Sequence, residues 1–399
     1  MSDYFSQKAL TISASPTLAI DEKYKAMLAD GIDVIGFGTG EPDFDTPQYI
    51  KDAAIKAIND GFTKYTPAAG TMSLRKAICR KFERDNSLSY APNQIVVSNG
   101  AKHSLVNAFL AILNPGDEVI IPSPYWVSYP EMVKIADGIP VSVHGSEEND
   151  FKVTVEQLES VTSEYTRALV LNSPSNPTGM IYTKEELEKI ADYAVKHDIY
   201  VISDEVYEKL IYDGEKHYSI ASLNEKIKDL TIVVNAVSKT YAMTGWRIGY
   251  TASNPKIAKI MSNIQSHATS NPNSIAQAAA EAALNGGEEE IEKMRLEFLK
   301  RRDYMVEKMN LIDGISCKMP NGAFYVMMNI SKIKGKTLYG KKIETSDDFC
   351  ELLLEKGKVA LVPGSGFEAD DYIRWSYAAS MDKIVKGLER LEKFVKEEY

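Results

Sequence analysis

From Gln94 to Ala252 the chain repeats one pattern, short Val/Ile runs with almost no polar interruption, separated by stretches whose apolar residues return with helical spacing. The runs are QIVVS, EVIIP, ALVLN, IYVISDEV, TIVVNAVS and RIGYTAS, and between them lie HSLVNAFLAIL and a helical segment from Thr183 to His197. A strand that is apolar at every position has to be covered on both faces, and helices between consecutive strands are the crossovers a parallel sheet requires. The pattern predicts an α/β fold with a mostly parallel sheet. Thr183 and Glu186 stand where a hydroxyl cap and a third-position glutamate satisfy each other's backbone amides. Upstream, Thr46 and Pro47 predict a helix start, with the Thr46 hydroxyl as cap and the proline at the first helical position. Ile50, Ala53, Ala54, Ala57 and Ile58 keep its stripe until Gly61, and Leu74, Ala77, Ile78 and Phe82 mark a second helix. Beyond Asn285 the pattern shifts to a long charged amphipathic helix, then strands at CKM, AFYVMMNI, VALVPG and YIRWSYA, an α+β order that predicts a second domain.

The length fits that division, because 399 residues exceed the roughly 250–300 at which one hydrophobic core stops growing. With 44% hydrophobic and 26% charged residues the chain has enough apolar surface to fold throughout. Its 46 Lys+Arg against 56 Asp+Glu leave a net charge of −10, which argues against nucleic acid or an anionic membrane as partner. No segment approaches the ~20 apolar residues of a membrane span, and MSDYFSQKALTIS lacks the order of a signal peptide, so a cytoplasmic address is expected. Cys79, Cys317 and Cys350 are too few and too scattered for a disulfide framework or a zinc site, and the five histidines show no ligand spacing. No metal is expected.

The chemistry concentrates where strands run into loops, which is where open α/β sheets bind ligands. QIVVS leads to Asn99-Gly100-Ala101-Lys102 and a helix, so free amides at a helix start can hold a phosphate. ALVLN leads to Ser173-Pro174-Ser175-Asn176-Pro177-Thr178-Gly179, an asparagine between two prolines. IYVIS ends at Asp204-Glu205-Val206-Tyr207, and an acid leaving a wholly apolar strand needs a cation or donors. TIVVNAV delivers Ser238-Lys239, followed by Thr244-Gly245-Trp246-Arg247, and a lysine at the end of a buried strand is a poor structural choice. The first two junctions, each taken alone, read as ordinary turns. Together the four supply what pyridoxal phosphate needs: a lysine for its aldehyde, an acid for the ring nitrogen, a tyrosine and an asparagine for the phenolic oxygen, and a hydroxyl, an arginine and amides for the phosphate.

SPSNPTG, SDEVY and SKTYAMTGWRIGY, with GTGEPDFDTP upstream and YIRWSYA downstream, resemble the class I/II aminotransferases of fold type I over essentially the whole chain. SPYWVSYPEM and AMTGWRIGY are most similar to the bacterial-type aspartate aminotransferases, subgroup I-beta. The resemblance implies a large domain (47–288) with a mostly parallel seven-stranded sheet, and a smaller α+β domain formed by 1–46 and 289–399. It implies that Lys239 carries the cofactor and moves the proton at the substrate Cα, and that Asp204 keeps the ring nitrogen protonated. Tyr207 and Asn176 would bond the phenolic oxygen and Trp126 would stack on the ring. Gly100, the amides of Ala101 and Lys102, Ser238 and Arg247 match a phosphate cup, and Tyr65 matches a tyrosine that arrives from the neighbouring subunit, so a homodimer with shared active sites is implied. Arg374 matches the arginine that grips the substrate α-carboxylate, and Gly40 the glycine whose backbone approaches it.

A dicarboxylate substrate needs a second cation. The animal relatives supply an arginine from the other subunit, and IQSHATSNPNS, near where it would lie, contains none. In the subgroup resembled here a lysine after the phosphate-loop glycine serves instead, which implies Lys102, with Ser15 and Thr17 as hydroxyl helpers. The expected substrates are aspartate and glutamate with 2-oxoglutarate and oxaloacetate, in a ping-pong transfer. Prephenate is disfavoured, since Ile12-Ser13-Ala14 lacks the lysine found in relatives that accept it. The rivals are a sister activity on the same scaffold (aromatic, alanine or kynurenine aminotransferase, or a carbon–sulfur lyase), a non-enzymatic aminotransferase-like sensor, and a nicotinamide dehydrogenase. The last is disfavoured because GFGTGE lacks the third glycine of that motif.

Overall fold

The six Val/Ile runs are strands of one seven-stranded sheet, in the order Ile95–Ser98, Gly249–Ala252, Thr231–Ala236, Tyr200–Asp204, Thr166–Asn172, Glu118–Ser123, Ile139–His144. The computed structural model describes residues 4–14 and 16–399, with the side chains of 16–18 excepted, so the expectations for Ser15 and for the Thr17 hydroxyl lie outside the described residues. Neighbouring strands are parallel except at Gly249–Ala252, which runs antiparallel to both its neighbours. Side chains alternate between two apolar layers. Val119 and Ile121 pack with Leu105 and Phe109 of the helix Ala101–Ile112, whereas Ile120, Leu169 and Leu171 pack with Leu187, Ile190 and Ala194 of the helix Lys184–His197.

The strand Ile139–His144 is not among the runs read from the sequence. It lies at the sheet edge, buries only Val143 and contains Pro140, and an edge strand needs neither a continuous apolar run nor every N–H. The cap at Thr183 forms as expected: its hydroxyl accepts from the Glu186 amide at 3.3 Å and Glu186 accepts from the Thr183 amide at 2.7 Å. The cap at Thr46 does not. The helix Gln48–Asn59 follows Pro47 without a side-chain cap, and the Thr46 hydroxyl donates to the Ala242 carbonyl at 2.7 Å and accepts from Trp246 Nε1 at 3.0 Å. Thr46 is thus spent on tying its loop to the segment after Lys239.

Towards the C-terminus, Val362–Pro363, Tyr372–Ser376 and Tyr325–Asn329 form an antiparallel sheet in that order. VALVPG is broken at Leu361 into Val359–Ala360 and Val362–Pro363, and CKM is no strand, with only an isolated bridge from Ser316 to Asn329 beside it. Ile35–Gly36 pairs in parallel with Val359–Ala360, and Phe37 packs on Trp375 with ring centroids 4.7 Å apart. The segment Gly38–Gly40 is thereby held beside the strand that carries Arg374. Among the described residues no helix is long and apolar enough to cross a membrane.

Candidate active site

Five strands of the large sheet send the residues that follow them into one cleft with a cavity volume of about 290 Å³. Ala101 and Lys102 follow Ile95–Ser98, Trp126 and Tyr129 follow Glu118–Ser123, and Asn176 follows Thr166–Asn172. Tyr207 follows Tyr200–Asp204, and Ser238 and Lys239 follow Thr231–Ala236. Gly38, Thr39 and Gly40 close the cleft from the N-terminal segment, and Tyr325 and Arg374 from the antiparallel strands.

Lys239 Nζ donates to the Gly40 carbonyl oxygen, and no carboxylate among the described residues lies within ion-pair distance of it. Loss of hydration in the cleft disfavours its charged form and lowers its pKa to about 8. Asp204 is buried, and that burial raises its carboxyl to about 6 against the opposing pull of Tyr129, whose hydroxyl donates to Oδ2 at 2.7 Å. Oδ1 receives only a long contact from the Val206 amide at 3.4 Å, so one oxygen of this acid is held and the other is open to a donor.

Tyr207 is buried with its hydroxyl 2.9 Å from that of Tyr325. Asn176 Oδ1 accepts from Arg374 Nη1 at 2.9 Å, which leaves the asparagine NH₂ as the group with bonds to give. Arg374 Nη2 donates to the Gly38 carbonyl at 2.7 Å, Nε is buried without a partner, and the guanidinium carbon lies 4.6 Å from the Tyr325 ring centroid and 5.1 Å from that of Phe367. Gly38 thus hydrogen-bonds Arg374, and Gly40 hydrogen-bonds Lys239.

At the opposite end, Gly100 sits at φ 86° before the helix Ala101–Ile112, whose first amides have no acceptor inside the helix. A Cβ on Gly100 would collide with the Arg247 guanidinium, so glycine is required both for the turn and for the approach of that arginine. Ser238 is buried beside them, and Lys102 Nζ stands 4.9 Å from the Trp126 ring centroid with no hydrogen-bond or ion-pair partner among the described residues. Enclosure and then the Arg247 charge lower the Lys102 pKa, a strain that a bound anion relieves. Tyr65 does not line the cleft and is 89% exposed.

Sequence reasoning missed Tyr129, Asn172 and Tyr325. Asn172 Nδ2 donates to the Asp204 carbonyl at 2.9 Å and its Oδ1 accepts from the Asn176 amide at 2.8 Å, stapling two cleft loops together. Its signal was legible, a polar residue closing the apolar run ALVLN. Tyr129 stands in SPYWVSYPEM, but nothing in that stretch says that its hydroxyl reaches Asp204. Glu205, Glu208 and His217 also come together, with ligand-type atoms within 4.8 Å of one another. Their needs are already met: Lys81 pairs with Glu208, Asn86 and Asn235 donate to Glu208 at 2.8 and 2.9 Å, and Ser203 and Ser219 donate to Glu205 at 2.8 and 2.7 Å. This is a buried ion-pair network that links the Asp204 strand to the Lys239 strand through Asn235.

Four cations (Lys102, Lys239, Arg247 and Arg374) thus line one cleft without a carboxylate partner among the described residues, beside a buried acid with one open oxygen and a helix start with free amides. Such a donor set suits a phosphate, a protonated ring nitrogen and carboxylates. Residues 32–391 match the family model for aminotransferase class I and II. An aspartate aminotransferase from Bacillus sp. (strain YM-2) is 49% identical over 99% of this chain and 100% of its own length. An aspartate/prephenate aminotransferase from Nitrosomonas europaea is 46% identical over 97% of this chain and 98% of its own. The crystal structure of an aspartate aminotransferase from Rhizobium meliloti, 43% identical, superposes with a TM-score of 0.96 over 99% of both chains. The chain belongs to the class I and II aminotransferases, fold type I enzymes that use pyridoxal phosphate.

Proposed function

We propose that the protein is an aspartate aminotransferase that transfers the amino group between L-aspartate and 2-oxoglutarate, giving oxaloacetate and L-glutamate. The observation that carries this reading is the pair of carboxylate-seeking cations in one cleft, Arg374 and Lys102, with Lys239 lining the same walls. A substrate with carboxylates at both ends satisfies both cations, and one with an apolar side chain leaves Lys102 unpaired.

Bound pyridoxal phosphate supplies an aldehyde to carry the amino group and a ring that takes up electron density as the Cα–H bond breaks. Lys239 would hold it through its amine and carry the proton at the substrate Cα, a role suited to an amine whose pKa burial lowers to about 8. Asp204, positioned by Tyr129, would keep a proton on the ring nitrogen, and Tyr207 and the Asn176 amide would hydrogen-bond the phenolic oxygen. Trp126 would lie against the ring, and Ser238, Arg247, Gly100 and the amides of Ala101 and Lys102 would hold the phosphate. Of the five N–H donors on Arg374 two are used, and those left on Nε, Nη1 and Nη2 can grip the α-carboxylate near Gly40. Lys102 would read the distal carboxylate.

The same reading makes the working unit a homodimer, built from a large domain at 47–288 and a small one from 1–46 and 289–399, with a cytoplasmic address. Ile55, Ile58, Phe62, Tyr65 and Met72 leave a concentration of exposed apolar side chains in one short stretch of chain. Arg247 lines both the cleft and an open groove shared with Asn99, Trp246 and Asn273, through which Tyr65 of a second copy would reach the phosphate.

Half-reaction absorbance changes across a panel of amino acids test the assignment, with aspartate and glutamate expected to react fastest and prephenate not to serve as acceptor. Lys102→Ala is expected to lower kcat/KM for aspartate by about ten- to a hundredfold while alanine and phenylalanine change less than about threefold. An aspartate value unaffected by that substitution would reject Lys102 as the reader.

A further inference from the structure

Tyr325 is absent from the set of residues that the family resemblance assigns, yet it touches three groups of the site. It is 1% exposed, at the start of the strand Tyr325–Asn329, which pairs antiparallel with Tyr372–Ser376. Arg374 stands opposite Met327, so Tyr325 is its diagonal neighbour on the same face, the relation in which long side chains meet across a sheet. The guanidinium carbon lies 4.6 Å from the Tyr325 ring centroid, with Phe367 as a second aromatic contact at 5.1 Å. The Tyr325 hydroxyl has one hydrogen-bond partner among the described residues, the Tyr207 hydroxyl at 2.9 Å. It also crowds Gly40, where an added Cβ would stand 2.5 Å from the phenolic oxygen, and the Gly40 carbonyl is the acceptor for Lys239.

We propose that Tyr325 is a positioning residue for the transfer reaction, its hydroxyl orienting Tyr207 and its ring orienting Arg374. The two halves of the side chain act on different groups. When the Tyr325 hydroxyl donates to Tyr207, the Tyr207 proton is turned away from the pair, towards whatever acceptor the cleft holds, and the polarised phenol donates more strongly. The ring restricts the guanidinium to the plane in which Nη1 and Nη2 reach Asn176 and Gly38, so its remaining N–H groups face one direction. A tyrosine that merely filled the core would have neither effect, and its replacement by phenylalanine would be silent at the site.

The inference rests on the reading that Tyr207 serves the cofactor and Arg374 the α-carboxylate, and the experiment separates the two. Wild type, Tyr325→Phe and Tyr325→Leu, each loaded with pyridoxal phosphate, are compared by the pH midpoint of the bound cofactor's visible absorbance and by the dissociation constant of maleate, with Tm as the control for folding. Phenylalanine keeps the ring and loses the hydroxyl, so the absorbance midpoint is expected to rise by about half a pH unit or more while maleate affinity changes less than about threefold. Leucine loses both, and maleate is expected to bind at least about tenfold more weakly. Tyr325→Met replaces the leucine variant should that fail to fold. An unchanged midpoint in Tyr325→Phe, or unchanged maleate binding in the variant without the ring, overturns the proposal. A wild type that takes up no cofactor, or whose maleate binding survives Arg374→Ala, overturns the underlying assignment instead.

Discussion

Alanine at position 239 is expected to lower kcat for aspartate by about 10⁴-fold or more, because the attaching group and the proton carrier are lost together. Reduction of the loaded wild type with borohydride is expected to leave a covalent adduct on the Lys239 peptide, and the variant no adduct at all. An adduct mapped to another lysine, or a variant within tenfold of wild type, would refute the role. The pH behaviour follows from the cleft. Burial disfavours the ammonium and brings its pKa from 10.5 to about 8, so the neutral amine predominates above that value. Only the neutral form has a lone pair to give, and the rate of cofactor attachment to the apoprotein should therefore rise with pH through about 8. A rise centred near 10.5 would mean that this amine is hydrated in solution as a surface lysine is.

The second large effect is expected at Arg374. Arg374→Lys should reduce kcat/KM by about 10²–10⁴-fold for every amino acid tested, aspartate, alanine and phenylalanine alike, since all share the α-carboxylate. A lysine offers one nitrogen where the guanidinium makes bonds of 2.9 Å to Asn176 and 2.7 Å to Gly38 and still keeps donors for the substrate. The burial of Arg374 makes a folding control necessary, and circular dichroism with Tm supplies it. Read beside Lys102→Ala, whose effect should fall on dicarboxylates alone, the pair of substitutions separates grip from specificity. A loss confined to aspartate in Arg374→Lys would exchange the roles of the two cations.

Much of this site is legible before folding. Asp204 and Lys239 announce themselves because each ends a run of buried aliphatic residues, where an ionisable group has no structural reason to be. Gly100 and Lys102 follow from a strand that runs straight into a helix. What escapes is what one segment does to a distant one. Tyr325 and Tyr129 are aromatic residues in apolar stretches, indistinguishable in sequence from core filling, and only their partners, Tyr207 and Asp204, make them part of the site. The same limit hid the edge strand at Ile139–His144 and misassigned the Thr46 hydroxyl, which bonds to Ala242, 196 positions away, and leaves its own helix uncapped.

The sequence by itself determined the alternation of strands and helices and the polar residues at strand ends, because burial on two faces and local hydrogen bonding are written in the period and order of neighbouring side chains. Only the tertiary structure decided which remote backbone closes over them. Gly40 accepts from a lysine 199 positions later and Gly38 from an arginine 336 positions later, and such contacts depend on how the segments Gly38–Gly40, Tyr325–Asn329 and Tyr372–Ser376 pack against the sheet, which no local pattern encodes.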